Sequence, residues 1–197
     1  GRTGWIVFDV AVTGGVARAA WQLFQKHRGE GLPITAVIYS HNHGDHWGGI
    51  RGIVNEADVR SGKVPIIAPR DFLRHTVEEN VYAGNAMIRR AMYQYGLRLP
   101  SSPFGHVDQA IGKRASTGAT GLIAPTRLVV GEIEEIVVDG VTMVFQNTPG
   151  TEAPAQRAPA ERSEAKKTPA RTKKTPAAKA PATAKKAPAK KAPTKKA

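Results

Sequence analysis

The amino-acid sequence predicts an α/β fold arranged in layers, and three observations carry that expectation. The first forty residues read strand, helix, strand. A dense histidine cluster follows the second strand at once, and a late pair of strands flanks a two-residue turn. Apolar runs that change from short blocks to a helical period of three or four residues are the signature of alternating elements.

Taken in order, Trp5 to Val10 (WIVFDV) is a short apolar run closed by Thr13, Gly14 and Gly15, and reads as a strand. Ala17, Ala20, Trp21 and Phe24 then recur at helical spacing, and His27, Arg28 and Gly29 supply a cationic, glycine-terminated end. Ile34 to Tyr39 is a second buried strand, so the pair is expected to lie parallel in one sheet across a helical crossover. After the loop of residues 40–49 a helix is expected through Ile50, Ile53 and Val54. Val64 to Ala68 forms a further strand, and Asp71 to Val81 and Ala83 to Tyr95 read as helices. Glu135 to Val138 and Val141 to Gln146 flank Asp139-Gly140, a pair suited to tight hairpins. A late hairpin fits a layered sandwich better than a plain doubly wound sheet.

Composition divides the 197 residues near Pro154. From Ala155 to Ala197 there is no Val, Ile, Leu, Met, Phe, Trp or Tyr, and such a segment has no apolar surface to bury. The expected organisation is therefore a folding body, 1–154, and a disordered tail, 155–197. Charge divides at the same place. The tail holds 14 of the 29 basic residues but only Glu161 and Glu164 of the 16 acids, which puts +12 there and +1 in the body. The basic balance is thus no sign that the body binds nucleic acid, whereas the tail would meet phosphates without reading bases. Cysteine is absent, so a metal would have to be held by His, Asp and Glu. No run approaches the roughly 18 apolar residues of a membrane span, and no basic, apolar leader opens the chain. The sequence reads as that of a soluble, unexported chain.

The chemistry lies in Ser40-His41-Asn42-His43-Gly44-Asp45-His46-Trp47-Gly48-Gly49. Residues two apart on extended chain share a side, so His41 and His43 can offer imidazoles to one metal ion. Gly44 allows a sharp turn, after which Asp45 and His46 can aim a carboxylate and an imidazole at a second ion. Asp45 is the candidate catalytic residue of this pair. Gly48 and Gly49 would let the following segment pack closely behind the ligands. His27, His75 and His106 lack ligand-type neighbours and read as surface or loop residues. A Ser40-His41 pair adjacent in sequence does not make a nucleophilic triad. Arg89 and Arg90 could face an anion or form a solvated helix face, and their roughly 100° separation on a helix argues that they do not share one role.

HNHGDHWGG at 41–49 resembles the H-x-H-x-D-H signature of the metallo-beta-lactamase superfamily. ENVYAGNAMIRRA at 79–91 and NTPGTEAPA at 147–155 narrow the resemblance to its alkylsulfatase branch, the linear primary-alkylsulfatases, and GRTGWIVFD at 1–9 and GLIAPT at 121–126 are similar too. The resemblance covers residues 1–155. It implies an αββα sandwich with two Zn2+ ions at its edge, with His41, His43, Asp45 and His46 as ligands and Glu152 as a carboxylate of the same centre. Without the resemblance, Glu152 could equally be a loop acid. The implied reaction is hydrolysis of primary alkyl sulfates to alcohol and sulfate.

Set against the family pattern, the sandwich is expected to be incomplete. Strands before Trp5, a further acidic ligand, a later histidine ligand, the helical region through which family members form homodimers and a lipid-binding-like domain are the parts expected to be missing. Impaired hydrolysis is the corresponding expectation. The KKAP and KKTP units of the tail are similar to the Lys-Ala-Pro tails of linker histones and some bacterial nucleoid proteins. The alternative reading is accordingly an inactive fragment whose tail associates non-specifically with nucleic acid.

Overall fold

A computed structural model describes residues 1–28, 31–100, 102–105, 116–149 and, for the backbone, 155–157. The elements in chain order are β1 (Trp5–Phe8), α1 (Gly14–Arg28), β2 (Ile34–Ile38), α2 (Gly44–Trp47), α3 (Glu56–Arg60), β3 (Ile66–Pro69), α4 (Phe72–Val77), α5 (Gly84–Gln94), β4 (Arg127–Val129), β5 (Ile133–Val138), β6 (Val141–Thr148) and β7 (Ala155–Arg157). A 3₁₀ turn, Ile50–Gly52, follows α2, and a π-helical turn, Glu78–Tyr82, joins α4 to α5.

β1, β2, β3 and β4 pair in that order as a fully parallel sheet, while β5, β6 and β7 form an antiparallel one. Strand alternation decides which side of the parallel sheet meets what. Val37 on β2 and Tyr39 just past its end join Ile50, Val54, Val59 and Phe72 in a core shared with the helical segments. Ala36 and Ile38 point the other way and meet Ile67 and Val129 from their own sheet and Ile136, Val138 and Phe145 from the hairpin. The α/β class and the two facing sheets expected from the sequence are both present. Phe72, 2% exposed, stacks on Tyr39 at 5.1 Å, and truncating such a side chain to alanine costs about 3–5 kcal/mol.

The hairpin turn is of type I′, for Asp139 and Gly140 sit at φ 43° and 73°, the left-handed pair whose twist matches the strands. Asp139 does more than turn. Its carboxylate accepts from the Thr3 amide (3.0 Å), the Thr3 hydroxyl (2.8 Å), the Gly4 amide (3.0 Å) and the Thr35 hydroxyl (3.1 Å), tying the hairpin tip to the N-terminal ends of β1 and β2. These donors, Thr3 foremost, hold its pKa down at about 2.

The sequence expectation fails after the histidine loop. No continuous helix runs through Ile50, Ile53 and Val54; a four-residue helix comes earlier, at Gly44–Trp47, and Ile50–Gly52 is a 3₁₀ turn. The Gly49 amide donates to Ala11 O at 2.8 Å and Gly48 O accepts from Gly121 at 2.9 Å, so tertiary partners capture the groups that would continue the ladder. Gly44 begins the short helix in place of the sharp turn expected there. Two strands lie outside those expected from the sequence. β4 is three residues long with Leu128 43% exposed, and β7 consists of the first three residues of the segment expected to be unstructured. The rest of that segment lies outside the described residues. No helix among those described is long and apolar enough to cross a membrane.

Candidate metal centre

The histidine loop springs from the C-terminal end of β2, beside the end of β1, where parallel sheets commonly carry their chemistry. It is pinned from behind. Trp47 is buried and donates its indole N–H to Asn42 O at 2.8 Å. A Cβ on Gly49 would run into Val10 O, Thr13 O and Ala17 Cβ, and one on Gly48 into Thr120 and Val12 O. Glycine at both positions is what lets the backbone lie this close behind the ligand-type side chains.

Each of the three imidazoles leans on a protein oxygen through one ring nitrogen. His41 Nδ1 meets Ser40 Oγ at 2.9 Å, His46 Nδ1 meets Asp9 Oδ2 at 2.8 Å, and His43 Nε2 faces Glu79 Oε1 at 3.4 Å. A proton on each of those nitrogens leaves the opposite one bare, the arrangement that outer partners impose on metal-ligating histidines. The bare atoms meet in pairs. His41 Nε2 and His43 Nδ1 are 3.0 Å apart, and His46 Nε2 and Asp45 Oδ2 are 3.5 Å apart. Ligands about 2.0–2.1 Å from a tetrahedral zinc ion stand roughly 3.3 Å from one another, so both pairs fit that ion. Among the described residues these groups do not gather in threes able to hold a metal. Burial lowers the His41 pKa, with the His46 and His43 rings adding to the effect, and so favours the neutral form that ligates a cation.

The four loop residues picked from the sequence are thus brought together as two pairs, with Asp45 the most exposed at 68% of its side chain. Glu152 and His106 lie outside the described residues. His27 is exposed, and His75 on α4 faces Glu78 of the π-helical turn at 3.3 Å, outside the histidine loop. The Ser40 hydroxyl donates to Asp9 Oδ2 at 2.8 Å and accepts from His41, which leaves it a positioning group and not a nucleophile.

Two site residues escaped the sequence reading. Asp9 holds a left-handed backbone, φ 52°, that swings its carboxylate onto the Ser40 amide, the Ser40 hydroxyl and His46. Non-glycine residues seldom adopt that conformation, and such strain concentrates at functional sites. Glu79, on the π-helical turn, reaches both His43 and the Asn42 amide at 2.5 Å, while Asn80 donates to Thr76 O at 2.9 Å. The available signals were an acid at a strand end for Asp9 and membership of the 79–91 motif for Glu79.

The model of the metallo-beta-lactamase superfamily matches residues 1–168. An alkyl/aryl-sulfatase of Saccharomyces cerevisiae is 50% identical over 155 residues, 79% of this chain and 24% of that protein. A linear primary-alkylsulfatase of a Pseudomonas species is 48% identical over 155 residues, 79% of this chain and 23% of its own length. The solved structure of a stereoselective inverting sec-alkylsulfatase, also from Pseudomonas, superposes with a TM-score of 0.73 at 44% identity, over 80% of this chain and 25% of that one. The chain spans about a quarter of the length of the curated relatives it matches.

Proposed function

This chain belongs to the metallo-beta-lactamase superfamily, and from that premise we propose that its histidine loop forms part of a zinc centre that hydrolyses primary alkyl sulfates to alcohol and sulfate. The observation that carries the reading is the pairing of side-chain atoms, His41 Nε2 with His43 Nδ1 and His46 Nε2 with Asp45 Oδ2, each imidazole held from behind by a protein oxygen. The names of the relatives supply the substrate class: those proteins are alkylsulfatases.

His41, His43, Asp45, His46 and Glu152 would hold the ions. Zinc, when bound, would lower the pKa of a water to about 7 and offset the charge of a sulfate ester. The remaining work falls to residues of this chain. Asp9 fixes the ring orientation and proton position of His46, Ser40 does the same for His41, and Glu79 for His43. Asp45, the most solvent-open of the set, would handle a proton on the water side of the site.

Elemental analysis of the purified protein tests the reading. Zinc should be present in the wild type and fall sharply in the His41→Ala, His43→Ala double variant, and release of sulfate from decyl sulfate should fall with it. Equal metal content in the two proteins would overturn the ligand assignment. Sulfate release that survives removal of zinc would overturn the mechanism.

A further inference from the structure

Helix α5 ends in a cap that builds a second hollow. Gly96, at φ 60°, turns the chain left-handed just past Tyr95, and the Leu97 amide donates to Met92 O at 3.2 Å, the six-to-one bond of a Schellman cap. The reversal lays Arg98 and Leu99 alongside the last turns of the helix. Together with Arg89, Met92, Tyr93 and Gly96 they line a hollow of about 380 Å³, within the size range of small-molecule clefts. None of these residues belongs to the histidine loop.

The lining is chemically two-sided. Met92, Tyr93 and Leu99 give apolar wall, with Tyr93 90% and Leu99 56% exposed. Arg89 and Arg98 also line the hollow, and among the described residues neither guanidinium has a carboxylate partner. A neutral occupant would cover the wall and leave two cations unanswered. A small inorganic anion would answer the cations and leave the wall wet. An anionic head on an alkyl chain satisfies both, because guanidinium forks match a tetrahedral oxyanion and apolar area gains about 25 cal/mol per Å² removed from water. Arg90, about 100° further round the helix, does not line the hollow.

We propose that this hollow binds the head and adjoining methylenes of a long-chain alkyl sulfate, as a substrate-capture site distinct from the histidine loop. The choice of sulfate over other anionic heads rests on the function proposed above, whereas the charge and apolar wall stand without it.

The test is isothermal titration with monomeric decyl sulfate, with circular dichroism verifying that each protein stays folded. The Arg89→Ala, Arg98→Ala variant should bind roughly tenfold or more weakly, the loss expected for charge-assisted hydrogen bonds. Arg90→Ala, the same charge change one residue away, should stay within about twofold of wild type. Leu99→Asp, at an exposed position, places a carboxylate in the hollow and should abolish binding even if the double arginine variant fails to fold. The His41→Ala, His43→Ala variant should bind as wild type, which separates this site from the zinc reading. Unchanged binding in both hollow variants, equal weakening by Arg90→Ala, or equal affinity for neutral decyl maltoside or inorganic sulfate would each overturn the proposal. So would loss of binding only in the histidine variant.

Discussion

The histidine loop and helix α5 are both marked by strong sequence motifs, yet they are built in opposite ways. In the loop, Trp47 is buried and every imidazole has a protein oxygen behind it. Helix α5 buries no residue at all, and its motif side chains Ile88 and Arg89 look outward. A motif therefore advertises chemistry without saying how firmly it is held. Rigidity in the loop comes from partners remote in sequence, Asp9, Glu79 and the backbone of residues 10–13, whereas the hydrogen bonds at both ends of α5 come from its immediate neighbours in the chain. The loop presents prearranged donors; the helix presents a surface.

The largest effect that would break this contrast belongs to Asp9→Asn. Asparagine tolerates the left-handed backbone and still accepts from the Ser40 amide. Its side-chain N–H₂, however, meets His46 Nδ1 as a donor and drives the ring proton to Nε2, the nitrogen that should stay bare. Zinc affinity should fall about 10- to 100-fold with the fold intact, as seen when outer partners of metal-bound histidines are lost. Affinity equal to wild type in a competition titration would mean that the loop does not depend on its remote support.

Asp139→Asn asks whether the hairpin tip is anchored as the loop is. The wild-type carboxylate, with its pKa near 2 against about 3.9 in an unfolded chain, contributes stability that is present above roughly pH 4 and is lost as pH falls through 2. Asn-Gly keeps the type I′ turn, so the variant should be less stable at neutral pH and lose this part of the acid dependence. Urea midpoints measured from pH 2 to 6 should therefore converge at the acid end. Parallel curves would remove Asp139 from the acid response.

The smallest effect is expected on the helix. Ile88→Ser, at a position 57% exposed, should change unfolding free energy by no more than about 0.5 kcal/mol, the range for surface sites. A loss several times larger would show that α5 is supported by contacts beyond its own cap.

Much of this was legible beforehand, for reasons visible in particular residues. β2 announced itself because its apolar side chains serve both cores, and the hairpin because Asp139-Gly140 meets a stringent backbone requirement. His41, His43, Asp45 and His46 were found because ligand chemistry is written in residue types at short spacing. What was not legible depends on partners far along the chain. Asp9 meets His46 across 37 positions, and Glu79 meets His43 across 36. The short helix at Gly44–Trp47 gives way to a 3₁₀ turn because Ala11 and Gly121 claim the Gly48 and Gly49 backbone. β4 and β7, three residues each, are too short for a strand period to show, and β4 buries only Val129.

The bond from Asp139 back to Thr3 also has a meaning in time, since its partners lie 136 positions apart. A ribosome adding about 5–20 residues per second needs on the order of ten seconds to travel from one to the other. Throughout that interval the amides of Thr3 and Gly4 wait without the carboxylate that will receive them, while the nascent β1 and β2 have no hairpin packed against Ala36 and Ile38. The hairpin itself closes within microseconds once made. Its arrival therefore acts as a late clasp on an early sheet, and the seconds before it are when β1 is most open to mispairing or to a chaperone.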